Sequence, residues 1–500
     1  MGALGLAAML LAGCAHGPLG EPAFAAGTQQ ALSARASVDS WRDDNIYFVL
    51  TDRFFDGDRA NDMNVDKQNP NAYHGGDFQG VIDKLDYLKN LGVTAIWVTP
   101  INDNIDGAFV GKYWAFHGYW IKDFTKVDEH LGTEEKFREL VRDAHAKGIK
   151  VLLDIVVNHA GYGAPIATNP QTSGWFHHNG NITNWDDQHQ LEYNDIDGLP
   201  DFNTENPQVI QYMEQTWAGW IQRTGVDGFR IDTVKHVPIA FWSVFNAYIH
   251  AHAPSGFFEL GEVLNGDPDY LQPYLTQGGF NSLFDYPMYY TFDQVFAQGG
   301  SMRQLAARFA QDNKYPDASL LSPFLDNHDQ PRFLTRAGGD ERKLRLALAC
   351  LYTMRGVPML YYGTECGMQG GPDPDNRKDM AWGQDSALTQ YVSTLLHLRT
   401  ASEPLRRGRQ LEMWQDDQVY GFARLDGKQE VDVLLNNADS AQTRQVPLRA
   451  ESALPDGTVL VDQLSGDRFT VQHHQLAITL GPKQARVLAP ATSRARTGRK

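Results

Sequence analysis

The 500-residue sequence predicts an α/β barrel with a lobe inserted after its third strand and an all-β domain toward its C-terminal end. Three observations predict it. From Asn45 onward, short runs rich in β-branched and aromatic residues alternate with segments whose apolar residues recur at helical spacing. One interval, residues 160–205, breaks that rhythm. After about residue 405 the helical segments give way to short alternating runs.

Residues 1–40 precede the fold. The run GALGLAAMLLAG is too short to span a bilayer as a mature helix. The tetrapeptide Leu11-Ala12-Gly13-Cys14 that follows resembles the lipobox of bacterial lipoproteins, in which Cys14 would become a lipidated N-terminus. No Lys or Arg precedes the run, and an ordinary signal peptide cut near Ala23–Ala26 is the alternative. Either way the expectation is export: to the periplasm or surface of a Gram-negative bacterium on a lipid anchor, or secreted. The small polar residues up to about 40 read as a tether.

The barrel is expected over residues 41–404. Its eight strands read as NIYFVLTDRF (45–54), TAIWVTP (94–100), KVLLDIVVNH (150–159), GFRIDT (228–233), FFELGEV (257–263), SLFDYP (282–287), LSPFLDNHD (321–329) and PMLYYGTE (358–365). Helical segments such as TEEKFRELVRDAHAKG and ERKLRLALACLYTMRG lie between most of them, each with a Gly stop. Residues 160–205, rich in Gly, Asn, Asp, Trp and His, follow the third strand and would overhang the carboxyl face as a small inserted domain. Runs such as QVYGFARL, EVDVLLNN and QLAITL place an antiparallel β-sandwich over 405–491, and the basic end 492–500 reads as a tail.

A net charge of −17 argues against a nucleic-acid partner, which requires clustered Lys and Arg. It fits a neutral, hydroxyl-rich substrate and equally a soluble surface. The 11 Trp and 20 Tyr supply faces that stack on sugar rings, although most belong in the core. With 3 Cys no disulfide framework is expected; Cys350 and Cys366 either pair in an oxidising compartment or stand as buried thiols.

Chemistry concentrates where strands end. Asp232, Glu262 and Asp329 each close a strand-like stretch, and in a parallel barrel those ends converge on one face. Carboxylates held together are unfavourable unless a reaction needs them, and glycoside hydrolysis needs two flanking one bond. Arg230, two residues before Asp232 on the same strand face, would keep that carboxylate ionised. Apolar neighbours of Glu262 would keep it protonated as a general acid, whereas Glu259 points to a different face. His117 and His159 are placed to donate to hydroxyls.

DIVVNH (154–159), GFRIDTVKH (228–236), GEV (261–263) and FLDNHD (324–329) resemble, in order, the four signature regions of the α-amylase family, glycoside hydrolase family 13. GVTAIWVTP, HGYW, LPDFN and GVPMLYYGTE are similar too, so the resemblance covers about residues 45–380. It implies a (β/α)8 TIM barrel, a domain B after strand three and a C-terminal β-domain. It implies retaining cleavage of α-1,4-glucosidic bonds in starch or maltooligosaccharides, with Asp232 as nucleophile, Glu262 as acid/base and Asp329 as transition-state stabiliser. A retaining pair stands about 5 to 5.5 Å apart. Arg230, His117, Tyr119, Trp120, His159 and His328 would line the subsite of the attacked glucose, Asp373 and Arg377 the non-reducing side, and Lys235 and His236 the leaving-group side.

The resemblance also implies calcium. One site would join barrel and domain B through Asn158, Asp201 and the His236 main chain, with a carbonyl of Glu192 as a further donor; a second would use Asp56, Asp58, Asn61, Asp62, Gly75 and Asp77. Cyclodextrin glucanotransferases, the nearest alternative, carry aromatic residues where this chain has Asp197 and Leu264, which favours hydrolysis here. A non-catalytic glucan-binding barrel is the alternative of another class. A monomer is expected.

Overall fold

A computed structural model describes residues 38–383 and 386–491; Cys14, the export segment before residue 38 and the tail 492–500 lie outside the described residues. The barrel strands are β1 (Ile46–Val49), β2 (Ala95–Val98), β5 (Lys150–Ile155), β6 (Gly228–Ile231), β7 (Phe258–Gly261), β8 (Ser282–Leu283) and β9 (Met359–Tyr361). Two further strands, β3 (Asn102–Asn104) and β4 (Ile121–Val127), form an antiparallel pair above β2. The barrel strands pair in parallel in the order β8-β7-β6-β5-β2-β1-β9. They are apolar on both faces because one face fills the barrel and the other meets the surrounding helices.

The eighth barrel position is not a regular strand. The 321–329 segment makes single bridges, Ser322 to Phe284 and Phe324 to Met359, which close the ring between β8 and β9. Pro323 sits between them and has no N–H to extend a ladder. The first predicted strand is also shorter than its sequence pattern: it stops at Val49, and Thr51–Phe54 form a helical turn.

The outer helices follow their patterns. In Glu134–Ala146 the buried residues are Phe137, Leu140, Val141 and Ala144, one stripe at helical spacing. Thr133 caps its start by accepting from the Lys136 amide. Among the described residues no helix is long and apolar enough to cross a membrane.

Two insertions rise over the carboxyl face. The β3–β4 pair carries residues 105–120 between its strands, anchored where Asn104 Oδ1 accepts from the Trp120 amide at 2.8 Å. Residues 160–205 hold short helices at Pro165–Thr168, Pro170–Trp175 and Gln188–Tyr193, so this interval is less irregular than its composition suggests.

The C-terminal strands are β10 (Arg409–Gln415), β11 (Val419–Asp426), β12 (Gln429–Asn436), β13 (Gln442–Pro447), β14 (Val459–Asp462), β15 (Arg468–Thr470), β16 (Gln475–Leu480) and β17 (Ala485–Pro490). They form a six-stranded sheet, β10-β11-β12-β17-β14-β15, and the pair β13-β16, around a second core that includes Ala423, Leu434, Leu476 and Leu488. Arg424, fully buried, donates to the Thr353 carbonyl at 2.8 Å and so ties this domain to the barrel. Cys350 and Cys366 are free thiols.

One feature of this domain escapes the sequence pattern. Glu430 and Asp432 lie two apart on β12 and share its inward face with Leu434. Both are buried, and Asp432 Oδ1, Asp432 Oδ2 and Glu430 Oε1 have no hydrogen-bond donor among the described residues, which fits a proton shared between the two carboxyls. Burial, then the neighbouring Glu430 charge, pushes the Asp432 carboxyl well above the usual carboxylate range. The folded state therefore keeps a proton that the unfolded chain releases. The associated stability is fully present below the ordinary carboxylate range and is lost as pH rises through the raised folded value. Asp432→Asn, whose amide can donate to Glu430, should melt near wild type at pH 4 and several degrees above it at pH 8 in thermal unfolding. Parallel melting-temperature profiles for the two proteins would exclude the shared proton.

Candidate active site

The acids are set by backbone bonds that continue the sheet past its last side chains. The Asp232 amide donates to Ile155 O and the Glu262 amide to Ile231 O, each at 2.9 Å. Thr233 then takes φ 49°, a left-handed conformation uncommon for a β-branched residue. That turn aims its amide at Glu262 Oε2, 3.1 Å away. Gly261 admits no side chain: a Cβ there would stand 2.8 Å from Leu283 and Phe280. Glu259, on the outward face, pairs instead with His250.

Arg230, 1 % exposed, is the hub. Its Nη1 lies 2.8 Å from Asp232 Oδ1 and 3.0 Å from Asp154 Oδ1, and its Nη2 lies 2.9 Å from Glu262 Oε2. Asp154, not anticipated as a site residue, also accepts from Tyr119 Oη at 2.7 Å and Trp97 Nε1 at 2.9 Å. Its sequence signals are an acid in an otherwise apolar strand and its place at the head of DIVVNH, and neither names its partners, because those from β2, β6 and the 105–120 insertion come together only in the fold.

Two expectations about charge are corrected. One guanidinium serves three carboxylates, so the Arg230 contact does not keep Asp232 low: burial, reinforced by Glu262 and Asp154, pushes its carboxyl well above the usual range. Burial likewise raises Asp154 to about 6. Glu262 is not in an apolar setting, because Arg230, the Thr233 amide and Tyr286 Oη (3.1 Å) surround its carboxylate. Burial and the neighbouring like charges thus favour retention of a proton on Asp232 or Asp154 in the free site.

Asp329 stands apart and is partly exposed. Arg377 Nη2 approaches it at 3.3 Å, and the same guanidinium reaches Asp373 at 3.3 Å and the His328 carbonyl at 2.8 Å. The Asp329 amide is held by Asn327 Oδ1 at 2.9 Å.

The rings form a wall. Tyr119 stacks between His117 and His328, with centroids 5.6 and 5.3 Å away, and Trp120 meets His117 edge-on at 4.7 Å. Burial depresses the His117 and His328 pKa values well below the usual imidazole range, so both rings are neutral. On the opposite side Lys235 Nζ donates to Leu264 O at 3.3 Å, and His236 Nδ1 contacts Leu191 O at 3.1 Å. Trp185, half exposed and absent from the sequence-based residue set, meets the His236 ring edge-on at 6.0 Å.

His159 points away from a hydroxyl-binding role. Its Nε2 lies 3.1 Å from the Tyr119 carbonyl and must carry hydrogen there; burial lowers its pKa to about 4, so Nδ1 is a lone pair. Asn158 Nδ2, 3.4 Å from that nitrogen, is therefore correctly turned as donor. Its Oδ1 then faces Asp201 Oδ1 at 3.2 Å and the His236 carbonyl at 2.8 Å. Turning the amide would relieve those two contacts but set oxygen against the His159 lone pair. Three converging oxygens, from Asn158, Asp201 and the His236 main chain, suit a hard cation. Asp201 is steadied from behind by His177 Nδ1 at 2.6 Å, and the Glu192 side chain accepts from Gln188 at 2.7 Å, which leaves its carbonyl as the donor the resemblance implies.

The second oxygen cluster is partly assembled. Asp56 Oδ1, Asn61 Oδ1 and Asp62 Oδ1 are buried without hydrogen-bond partners. Gly75, at φ 86°, leaves room for Asp62: a Cβ there would stand 2.5 Å from Asp62 Oδ1. Asp77 is already committed to the Gly57, Asp58 and Gly80 amides, and Asp58 to the Ala60 amide, because both cap helices.

Comparison with known proteins agrees with this arrangement. The family described as "Alpha amylase, catalytic domain" matches residues 48–454. The chain is 40% identical over 477 residues to a β/α-amylase of Paenibacillus polymyxa, covering 91% of this chain but only 38% of that protein. It is 30% identical over 518 residues to a cyclomaltodextrin glucanotransferase of Klebsiella oxytoca, covering 90% of this chain and 76% of that one. The crystal structure of an Anoxybacillus α-amylase superposes with a TM-score of 0.84 at 40% identity, covering 90% of this chain and 99% of that one. The fold, the strand-end carboxylates and these matches agree: the chain belongs to the α-amylase family.

Proposed function

We propose that this chain hydrolyses internal α-1,4-glucosidic bonds of starch and maltooligosaccharides with retention of configuration. The observation that carries the reading is one buried guanidinium bridging Asp232 and Glu262. A shared guanidinium ties their separation to the width of one planar fork, which supports the short spacing of a retaining pair over the wider one of an inverting pair. Glucose bound against Tyr119 meets neutral imidazoles that donate to hydroxyls without adding charge.

In this reading substrate entry moves the retained proton to Glu262 and leaves Asp232 ionised. Asp232 attacks the anomeric carbon as Glu262 protonates the departing oxygen. Glu262, now a carboxylate, then takes a proton from the water that releases the glycosyl-enzyme. Asp329, with Arg377, is assigned to hydroxyls of the distorted ring. Asp232→Asn and Glu262→Gln should each lower kcat on soluble starch by roughly 10³-fold or more while melting within a few degrees of wild type. Undiminished starch clearing by Glu262→Gln would remove it from the mechanism.

A glucan-transferring or cyclodextrin-processing activity is favoured by one observation, the exposed Trp185 beside His236, which offers an acceptor sugar a stacking face. Asp197 and Leu264 offer none, so water is the preferred acceptor. On maltoheptaose the expected products are shorter and linear; cyclic or longer products would reverse this assignment.

Calcium belongs to the proposal. The donor set of Asn158 Oδ1, Asp201 and the His236 carbonyl fits it, and when bound it would pin the 160–205 lobe to the barrel by charge. Asp56, Asn61 and Asp62 fit a second ion. A chelator should lower the melting temperature by several degrees, with recovery on adding Ca²⁺. Asp201→Asn should melt lower and respond less, whereas an unchanged response in both Asp201→Asn and Asp62→Asn would exclude these sites. Export and lipid attachment at Cys14 rest on the Leu11–Cys14 tetrapeptide.

A further inference from the structure

The two carboxyl oxygens of Glu262 are not equivalent. Oε2 receives Arg230 Nη2 at 2.9 Å and the Thr233 amide at 3.1 Å, both groups that only donate. A proton on Oε2 would face them both. Oε1 faces a hydroxyl, Tyr286 Oη at 3.1 Å, which can reorient.

Tyr286 is fully buried and held from several directions. It opens the helix Tyr286–Phe292, whose N-cap Asp285 accepts from the Met288 amide and is ion-paired to Arg355 at 2.6 Å. Its ring meets Phe324 edge-on at 5.1 Å. Asn327 Nδ2 lies 3.4 Å from the phenol oxygen, a long contact that occupies its lone-pair side and leaves the hydroxyl hydrogen for Glu262. Asn327 Oδ1 holds the Asp329 amide, so one short chain of contacts runs from the third acid to the acid/base.

We propose that Tyr286 is a positioning residue for proton transfer: it makes Oε1 the oxygen that carries the transferable proton and turns that proton toward the cleft. The inference rests on the reading of Glu262 as acid/base. With Arg230 and Thr233 on Oε2, the proton resides on Oε1. With the Tyr286 hydrogen on one side of Oε1, the acid hydrogen takes the other. As the glycosidic bond breaks, its electron pair stays on the leaving oxygen, which gains the Oε1 proton. Oε1 becomes anionic and accepts more strongly from Tyr286. In the second half the proton from water returns to Oε1. Tyr286 thus favours the product state of the first transfer without touching substrate.

The test is Tyr286→Phe, which keeps ring and packing and removes only the hydroxyl. Two substrates separate its role from a structural one: maltoheptaose, whose leaving oxygen needs a proton, and α-maltotriosyl fluoride, whose leaving group needs little help. On maltoheptaose kcat/KM should fall ~10-fold, mainly in kcat, as expected for loss of one hydrogen bond to a charged group. On the fluoride the loss should stay below about threefold. The alkaline limb of the maltoheptaose profile should move to higher pH, because a carboxylate with one donor fewer favours its protonated form. Equal losses on both substrates, or none on either, would overturn the proposal. Glu262→Gln on the same pair, compared in kcat/KM so that only formation of the glycosyl-enzyme is read, separates the two readings. If it spares the fluoride while Tyr286→Phe does not, the positioning role fails and the acid/base assignment stands. If Glu262→Gln loses both equally, the acid/base assignment fails first.

Discussion

A single positive charge in a dry place organises this site. Arg230 is buried beneath the carboxyl face, and Asp154, Asp232 and Glu262 all contact it. Removing the guanidinium would leave buried carboxylates uncompensated, a penalty of about 3–5 kcal/mol for breaking a buried pair. The cluster constrains its neighbours in turn. Trp97 and Tyr119 spend their polar hydrogens on Asp154, and Thr233 accepts a left-handed backbone to place its amide on Glu262. Because the carboxylates outnumber the guanidinium, the cluster favours a proton of its own, and in the proposed mechanism acid catalysis draws on it.

Much of this was legible from residue pattern. Apolar runs alternating with helical stripes indicated the barrel, and acids at the ends of those runs marked its working face. What was not legible depends on contacts between distant segments. The apolar neighbours of Glu262 in sequence gave a misleading picture of its surroundings, because side chains alternate across a strand and its real partners come from β6 and from Tyr286. Asp154 looked like part of a signature and proved to be a partner of Arg230. The pattern over 321–329 reads as a strand, but Pro323 withholds the hydrogen that a ladder requires.

The proposed calcium site beneath the 160–205 lobe follows a different logic. A hydrogen bond from His159 to a main-chain carbonyl sets its tautomer, the tautomer sets the Asn158 amide, and the amide turns its oxygen toward Asp201 and His236. Residue identity names the oxygen donors, whereas only the network says which way the amide points. That network also withdraws His159 from the substrate-facing set, leaving His117 and His328 against Tyr119.

The two bridges that stand in for a barrel strand at Ser322 and Phe324 divide the acids into two mechanical classes. Asp232 and Glu262 continue regular ladders and move only if the sheet moves. Asp329 hangs from a seam with few cross-links, several residues beyond its last bridge, and is gripped chiefly by Asn327 and by Arg377 from a separate loop. Its placement is therefore set by that loop more than by the barrel. Sequence drift around residues 373–377 would move Asp329 while Asp232 and Glu262 stay fixed. The seam lets one part of the site vary without loosening the rest.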